Sequence, residues 1–251
     1  MPPIILGTPD ASQPISLQVG DLEVAAFSNL GIGYEGGGNQ DRVLIIPEKR
    51  IFMISDGVGS ANGERGSIIA VDAIIDRTRG EEILLMSELL DSANTRITKA
   101  DRYKGTQACV TIAQIEGNGE IEGAFSGDVE IGVTIDNDYM QNAPHQHPSN
   151  DCIVTSCLGS TNYYPETIHA HLESGKSLFI GSDGVTRNIP FKDIAKRLHS
   201  SNESPIEIVQ WIFEESLRKM KITMGERERR VPRENRTGKC DNFSAILARR
   251  A

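Results

Sequence analysis

The amino-acid sequence predicts an α+β protein built from antiparallel sheets. Short β-rich runs come in pairs with tight connections, two helical patterns follow one another between those pairs, and more helical patterns lie near the C-terminus. Strands joined by a tight turn must run antiparallel, whereas parallel strands need a long crossover connection. Because strands and helices do not alternate one for one, layered antiparallel sheets are favoured over a doubly wound parallel sheet.

The chain is long enough for one large domain. It has 251 residues, and no stretch has the composition of a linker. Prolines at positions 2, 3, 9 and 14 remove ladder donors and resist helix formation, so residues 1–20 are predicted to be an irregular lead-in. The folded domain is predicted over residues 21–251.

Composition and charge exclude several classes of protein. Hydrophobic residues make up 38% of the chain and there are 24 glycines, which argues against a disordered or collagen-like protein. No apolar run approaches ~18 residues and the N-terminus has no basic head, so neither a membrane span nor secretion is expected. The net charge of -9 repels nucleic acid and anionic lipid. Four cysteines without a C-x-x-C pair favour reduced thiols in the cytoplasm.

The first predicted strands form a hairpin. β-Rich runs cover residues 22–29, 42–46 and 50–55. Only Pro47-Glu48-Lys49 separates the last two runs, and this length is typical of a hairpin connection. The second and third strands are therefore expected to pair antiparallel.

Two consecutive helices are predicted next, over residues 66–79 and 81–99. In both segments apolar residues recur at the three- and four-residue spacing of one helix face. These residues are Ile68, Val71 and Ile75 in the first segment, and Leu85, Leu89 and Ile97 in the second.

Strand patterns return after the helix pair, over residues 108–115 and 120–126. Gly117-Asn118-Gly119 lies between them, and its Asn-Gly step tolerates the positive φ values of a tight hairpin. A third run, 129–135, is expected to continue this meander.

The C-terminal part combines a loop-rich stretch with further strands and helices. Residues 136–166 show little periodicity. Ser204-Pro205-Ile206-Glu207 has the pattern of a capping box with proline at the first helical position, so a helix is predicted from residue 205. The other predicted elements are strands 167–172, 177–181 and 242–248 and a short helix over 191–198.

Four aspartates stand at the ends of predicted strands. Asp56 and Asp183 occupy the same place in two similar segments, Ser55-Asp56-Gly57-Val58 and Ser182-Asp183-Gly184-Val185. Either Asp-Gly pair alone could be an ordinary turn. However, Asp41 precedes one strand and Asp241 opens another, and one sandwich could bring all four acids together.

Such an acidic cluster needs a counter-charge. Carboxylate oxygens are ligands that hard divalent ions such as Mg²⁺ and Mn²⁺ accept. The residues therefore predict a hydrolytic site with two metal ions.

The ordered set of motifs resembles the metal-dependent protein phosphatases of the 2C family. The similarity covers about residues 22–249 and preserves the order of that family's motifs. The matching motifs are Asn39-Gln40-Asp41, Ser55-Asp56-Gly57-Val58-Gly59, Gly105-Thr106, Gly127-Asp128, Val154-Thr155-Ser156-Cys157-Leu158-Gly159, Ser182-Asp183-Gly184-Val185-Thr186 and Asp241-Asn242-Phe243.

This resemblance implies a four-layer α-β-β-α sandwich whose two antiparallel sheets hold two Mn²⁺ or Mg²⁺ ions at one edge. Asp56 would bridge both ions and Gly57 would add its backbone carbonyl to one of them. Asp183 and Asp241 would ligate the other ion. Asp41 would hold water beside the ions.

The resemblance also implies a substrate and a third ion. Asp128 would share a weaker third ion with Asp183. The activity would be hydrolysis of phosphoserine and phosphothreonine in proteins, opposing cytoplasmic kinases, with water activated by the ions as the nucleophile.

The sequence departs from the family where the phosphate is bound. An arginine is expected five residues before Asp41, but that residue is Gly36. The backbone N–H groups of the glycine-rich loop, including Gly37, could bind the phosphate instead, or the loop could be a simple hairpin tip. Arg233 and Arg236 are further candidates, with a solvated charged loop as the alternative interpretation.

The flap that bacterial relatives carry is also shortened here. The stretch from residue 128 to 158 is shorter than in those relatives, and neither Asp136 nor Asp138 aligns with the acidic ligand of their flap. His145 and His147 lie in the same stretch, where solvated histidines are the simpler interpretation.

Two other functions stay open at this point. A regulatory module that binds phosphoproteins without turnover would explain the glycine at the arginine position, although all four core aspartates are retained. A hydrolase of small phosphorylated metabolites would suit a site without a guiding flap.

Overall fold

Twelve strands and five helices are formed by the residues described in the computed structural model, which are 1–7, 13–33, 38–59, 62–80, 85–100, 105–135, 138–142, 154, 156–200, 202–232 and 236–251. The strands are β1 (Ile4–Leu6), β2 (Ile15–Val19), β3 (Leu22–Asn29), β4 (Asp41–Ile46), β5 (Ile51–Val58), β6 (Gln107–Ile115), β7 (Glu120–Ser126), β8 (Glu130–Ile135), β9 (Asp138–Asn142), β10 (Glu166–His171), β11 (Ser177–Gly181) and β12 (Phe243–Arg250). The helices are α1 (Gly63–Thr78), α2 (Met86–Ala100), α3 (Asp183–Thr186), α4 (Phe191–Ser200) and α5 (Pro205–Glu228).

The strands form two antiparallel sheets of six strands each. The order is β1-β4-β5-β6-β7-β10 in the first sheet and β2-β3-β12-β11-β8-β9 in the second. Every pair of neighbouring strands is antiparallel. The predicted hairpins β4–β5 and β6–β7 are both confirmed.

The central strands are buried on both faces, and alternate residues enter different cores. In β4, Val43 and Ile45 contribute to the core between the sheets, while Leu44 contributes to the core under α1 and α2. In β12, Ile246 faces the core between the sheets and Leu247 faces the helices on the other side. This period of two follows from the pleat of a strand, and it explains why these strands read as continuous apolar runs.

The helices cover the two outer faces. α1 and α2 pack on the first sheet through buried residues such as Ile74 and Leu89. α4 and α5 pack on the second sheet, where Phe213 of α5 lies against Phe27 of β3 with ring centroids 5.3 Å apart. The predicted four-layer α-β-β-α sandwich is confirmed.

The expected irregular lead-in over residues 1–20 is wrong in part, because β1 and β2 lie within it. β1 is one edge strand of the first sheet and β2 is one edge strand of the second. Pro3 and Pro14 immediately precede these strands. An edge strand tolerates nearby proline because one of its sides carries no ladder.

The expected meander also differs from the structure at β8. This strand does not pair with β7 but with β9 and β11 of the second sheet. Gly127 has a φ of +115°, and the chain passes at Gly127-Asp128 from one sheet to the other. The crossing places Asp128 at the end of the sandwich where its charge acts on Asp56 and Asp183.

Two further features of the fold concern the cysteines and the helices. The thiol groups of Cys109, Cys157 and Cys240 are buried. In the described part of the chain, no helix combines the length and apolar character needed to cross a bilayer.

Candidate active site

Asp41 and Asp56 lie side by side at one end of the first sheet. They are register partners of β4 and β5. Because side chains alternate along a strand, Asp41 shares the face of Val43 and Ile45, which is the face toward the second sheet. Asp41 is fully buried, whereas Asp56 is partly exposed. Both acids therefore stand at the mouth of the cleft between the sheets.

Ser182 joins Asp41 to the second sheet. Its Oγ donates a hydrogen bond to Oδ2 of Asp41 at 2.8 Å and accepts one from the backbone N–H of Ser244 at 3.0 Å. Ser182 and Ser244 are both fully buried. This chain of hydrogen bonds fixes one carboxylate oxygen of Asp41 and sets the spacing of β4, β11 and β12 around it.

Asn242 makes a second link between the sheets. Its Oδ1 accepts a hydrogen bond from the backbone N–H of Gln40 at 2.8 Å, and its Nδ2 donates to the carbonyl of Leu30 at 2.9 Å. The residue before it, Asp241, accepts at Oδ1 from the N–H of Asn242 at 2.9 Å. Asn242 therefore positions Asp241 on one side and Asp41, through Gln40, on the other.

The glycines of the two Asp-Gly pairs allow close backbone contacts. A Cβ at Gly57 would lie 2.2 Å from the carbonyl oxygen of Gly63 at the start of α1. A Cβ at Gly184 would lie 1.8 Å from the carbonyl oxygen of Asn242. The similarity of the two Asp-Gly segments thus has a structural cause, since each aspartate is followed by a residue that must contact neighbouring backbone.

The acids perturb one another strongly. Burial, together with the charges of Asp241 and Asp183, raises the pKa of Asp41 to about 7 in spite of the hydrogen bond from Ser182. Burial and the charges of the neighbouring carboxylates, including Asp41 and Asp128, raise the pKa of Asp56 well above its ordinary value. Burial also raises the pKa of Asp183. The five predicted acids therefore form one electrostatic cluster.

Lys239 supplies the cluster's closest counter-charge among the described residues, and it was missed by sequence reasoning. Its Nζ lies 2.5 Å from Oδ2 of Asp183 and also forms an ion pair with Oδ2 of Asp241. Burial opposes the charged ammonium, but these carboxylates hold the pKa of Lys239 above its ordinary value. Arg187 lies farther away, with Nε 3.2 Å from Asp183. The one feature of the sequence that could have indicated this role is the position of Lys239, two residues before Asp241.

The donor set has the chemistry of a divalent-ion site. Every predicted side-chain ligand offers carboxylate oxygen, and Oδ1 of Asp41 and Oδ1 of Asp183 are buried without a hydrogen-bond partner in the part of the chain described. Among those same residues, however, no three acidic, histidine or cysteine side chains are grouped closely enough to hold a metal ion as they stand. In this arrangement the cation between Asp183 and Asp241 is the ammonium of Lys239.

Of the three residues predicted to contact phosphate, Arg236 is the one that lies within the described part of the chain. Gly37 and Arg233 lie outside the described residues, as do Asp136, His145 and His147. Asp138 lies on β9. Arg236 is described, and its Nε donates to the carbonyl of Val231 at 3.0 Å, within its own loop.

Arg227 contacts the residues that precede the glycine-rich segment. Its Nη1 donates to the carbonyl of Gly33 at 3.2 Å, next to the glycine-rich segment that begins after Tyr34. The last turn of α5 therefore lies against the residues that precede this segment.

Comparison with known proteins gives matches by structure. No protein-family profile matches the sequence, and no curated protein matches it. PppA, a key regulatory component of T6SS in Pseudomonas aeruginosa, is similar with a TM-score of 0.70 and 17% identity, over 93% of this chain and 99% of that one. The Mycobacterium tuberculosis serine/threonine phosphatase PstP/Ppp is similar with a TM-score of 0.69 and 19% identity, over 91% and 98% of the chains.

A third structure contains metal. The catalytic domain of the serine/threonine protein phosphatase PstP in complex with two manganese ions is similar with a TM-score of 0.70 and 18% identity, over 91% of this chain and 97% of that one. At such identities the likeness is one of fold. The chain therefore has the fold of the bacterial serine/threonine phosphatases, in agreement with its resemblance to the protein phosphatase 2C family.

Proposed function

We propose that this protein is a metal-dependent phosphatase that removes phosphate from phosphoserine and phosphothreonine in proteins. The observation that carries the proposal is the convergence of Asp41, Asp56, Asp128, Asp183 and Asp241, from both sheets, on one end of the sandwich. The manganese-bound catalytic domain of PstP, which has the same fold, supports a divalent ion as the partner of these acids.

The chain offers ligands for two Mn²⁺ or Mg²⁺ ions. Asp56 would bridge them, the carbonyl of Gly57 would serve one, and Asp183 and Asp241 would serve the other. Asp128 would help to hold a third, weaker ion with Asp183. When bound, such ions acidify water near neutral pH and neutralise charge that develops on the phosphoryl oxygens.

Asp41 is proposed to handle the proton of the attacking water. Ser182 occupies its Oδ2, and the buried Oδ1 accepts no hydrogen bond from the described residues. Without metal, burial and the neighbouring acids raise the pKa of Asp41 to about 7, and divalent ions bound beside it would lower that pKa and favour the carboxylate, which is the form that accepts a hydrogen bond from water. Asp41 therefore orients the water through Oδ1.

The phosphate of the substrate is proposed to be held by the glycine-rich segment and by the loop that carries Arg233 and Arg236, called here the arginine-rich loop. Backbone N–H groups around Gly37 and the guanidinium groups of Arg233 and Arg236 have the right chemistry for a phosphate dianion. Arg236 lies in the loop that leads directly into Lys239 and Asp241, which supports this assignment.

The proposed partner is a phosphorylated protein, and the proposed setting is cytoplasmic signalling opposed by a kinase. PppA, which has the same fold, is a key regulatory component of T6SS. The net charge of -9 gives no support to a nucleic-acid or membrane partner.

Phosphate release from a phosphoserine peptide tests this function. Wild type, Asp56→Asn and the control Asp72→Asn are assayed with Mn²⁺, with Mg²⁺ and with chelator. Asp72 is an exposed acid of α1, so its variant removes the same charge away from the site. We expect metal-dependent release from wild type and from the control, and at least a 100-fold loss in Asp56→Asn, because removing a bridging ligand removes transition-state stabilisation.

A non-catalytic phosphoprotein-binding module is the second candidate, and Lys239 favours it because an internal cation already pairs with two of the acids. Peptide binding without phosphate release at any metal concentration would support that candidate against the first. Release from a sugar phosphate but not from the peptide would instead indicate a metabolite phosphatase.

A further inference from the structure

We infer that Lys239 is an internal competitor of the metal, so that a divalent ion enters between Asp183 and Asp241 only when the ammonium leaves. The inference rests on the proposed function, because it concerns how the same site is loaded. In the described structure, Nζ of Lys239 bridges the two carboxylates and lies 2.5 Å from the nearer oxygen of Asp183.

The backbone of Lys239 is held in place by Asn188. The buried Nδ2 of Asn188 donates to the carbonyl of Lys239 at 2.9 Å and to that of Gly184 at 2.6 Å, and its Oδ1 accepts from the N–H of Lys239 at 3.2 Å. A Cβ at Gly238 would lie 2.1 Å from this Oδ1, so the residue before the lysine must be small. The start of the lysine side chain is therefore fixed beside Asp183 and its helical turn.

The ammonium end of the Lys239 side chain can move, whereas the backbone of Lys239 is fixed. The Lys239 side chain is 27% exposed, whereas that of Asp183 is 7% exposed, so the ammonium has a path to solvent. A lysine also has a flexible four-carbon stem and a strongly hydrated head. A closed form, with the ammonium on the two acids, can thus exchange with an open form without rearranging the backbone.

Competition follows from charge and space. Asp183 is buried beside the partly exposed Asp241, and two carboxylates this close repel each other unless a cation lies between them, a place that either an ammonium or a divalent ion can fill. The ammonium lies on Oδ2 of Asp183 and Oδ2 of Asp241, and a divalent ion held by the same two carboxylates would need the space between them, so the two cations would exclude one another. The apparent metal affinity of wild type is then reduced by the fraction of molecules in which Lys239 is closed.

A titration with Mn²⁺, followed by the electron paramagnetic resonance signal of the free ion, tests the inference without using activity. The proteins are wild type, Lys239→Gln and the control Lys221→Gln, which removes one charge from an exposed position on α5. We expect Lys239→Gln to bind Mn²⁺ at least tenfold more tightly than wild type, or to bind one ion more, and the control to match wild type. Lys239→Met serves as a second variant if Lys239→Gln does not fold.

A thermal melt in chelator gives an independent measurement. We expect Lys239→Gln to melt below wild type without metal, because Asp183 and Asp241 then lack their cation, and to recover on addition of Mn²⁺ more than wild type does. Equal or weaker Mn²⁺ binding by both lysine variants would overturn the inference, and so would a lack of Mn²⁺ binding by every protein.

Failure of the inference is distinguishable from failure of the proposed function. If the lysine variants bind Mn²⁺ more tightly but neither they nor wild type release phosphate from the peptide, the function fails and the inference stands. If wild type releases phosphate with Mn²⁺ and the variants show unchanged affinity, the inference fails and the function stands.

Discussion

Single residues show how the site is assembled from two sheets. Asp41 belongs to the first sheet, but its carboxylate is held by Ser182, which follows β11 of the second. Burial raises the pKa of Asp41 and the hydrogen bond from Ser182 opposes that rise. The protonation state of Asp41 is thus a balance in which desolvation and the charges of Asp241 and Asp183 favour the protonated form and the hydrogen bond from Ser182 favours the carboxylate.

The variant Ser182→Ala is expected to destabilise the metal-free protein in a pH-dependent way. The folded-state pKa of Asp41, about 7, is above its unfolded value, so the cost of burying its charge is fully present above that pH and is relieved as the pH falls. Loss of a hydrogen bond to a charged group should cost about 1.5–3 kcal/mol at pH 8 and less at pH 5. Urea unfolding in chelator at both pH values measures the difference.

Ser216→Ala is the matched control for this prediction. Ser216 is a fully buried serine of α5 whose Oγ has no hydrogen-bond partner among the described residues. Its variant should show a small change that is the same at pH 8 and pH 5. A pH-independent loss in Ser182→Ala would contradict the role given to Ser182.

Residue types in the motifs predicted most of the acids that meet in the candidate site, but not their counter-charge. Asp41, Asp56, Asp183 and Asp241 could be named because carboxylates at strand ends require a cation. Lys239 could not be distinguished from the other basic residues of its loop. Its contact with Asp183, 56 positions earlier in the chain, arises only when β11 and β12 pair.

At the scale of elements, the site depends on two close backbone contacts. α1 starts against Gly57 at the end of β5, and α3 starts against the residue that precedes β12. The contact at Gly57 positions Asp56 at the edge of the cleft, and the contact at Gly184 positions Asp183 there. The position of the acids is therefore set by glycines that carry no chemistry of their own.

Gly184→Ala is expected to lower both stability and activity. Its Cβ would lie 1.8 Å from the carbonyl oxygen of Asn242, so α3 and the start of β12 must separate. Overpacking of this kind should cost about 3 kcal/mol, and the shift would move Asp183 away from Asp241. Denaturant unfolding and phosphopeptide hydrolysis measure the two effects.

Gly225→Ala provides the contrast for that variant. Gly225 lies inside α5, and a Cβ there would meet nothing within 4 Å. Alanine should stabilise the helix by about 1 kcal/mol without changing activity. If Gly184→Ala behaved like Gly225→Ala, the close contact with Asn242 would not matter to the site.

Arg236→Ala is expected to weaken substrate binding through the arginine-rich loop. Loss of a charge-assisted hydrogen bond to phosphate should raise KM for a phosphopeptide about tenfold or more, with a smaller change in kcat. Steady-state kinetics with the control Arg229→Ala, an exposed arginine at the end of α5, measures this. An unchanged KM in Arg236→Ala and also in Arg233→Ala would rule out the loop as the phosphate contact.

Elements with strong local patterns could be predicted, and those that depend on the sheet could not. β7 and β11 match their predicted ranges, and α5 starts at the proline of its capping box. β1 was missed because an edge strand of three residues has little periodicity of its own. The crossing of β8 to the second sheet was missed because a short loop usually indicates a hairpin.

The whole molecule is a sandwich that gathers negative charge at one end. The net charge of -9 includes five acids at the cleft, and the packing of the two sheets on each other brings these acids close together. Folding alone therefore creates a site that prefers a cation. Lys239 meets this preference within the chain, and in the proposed function divalent ions would meet it.

Fold class and layer order could be predicted from the sequence because strand pairs and helix pairs follow one another along the chain. The pairing of the two sheets through Asn242 and Gln40 could not be, because these residues are 202 positions apart. Long-range contacts of this kind are visible only in the folded molecule.

A crystal of wild type grown with Mn²⁺, measured at the manganese absorption edge, tests the central claim most directly. We predict anomalous peaks within ligand distance of Asp56, one of them also touching Asp183 and Asp241, with the Lys239 ammonium displaced from those two acids. A map without peaks at these carboxylates, in which Lys239 still bridges Asp183 and Asp241 at saturating Mn²⁺, would contradict the account.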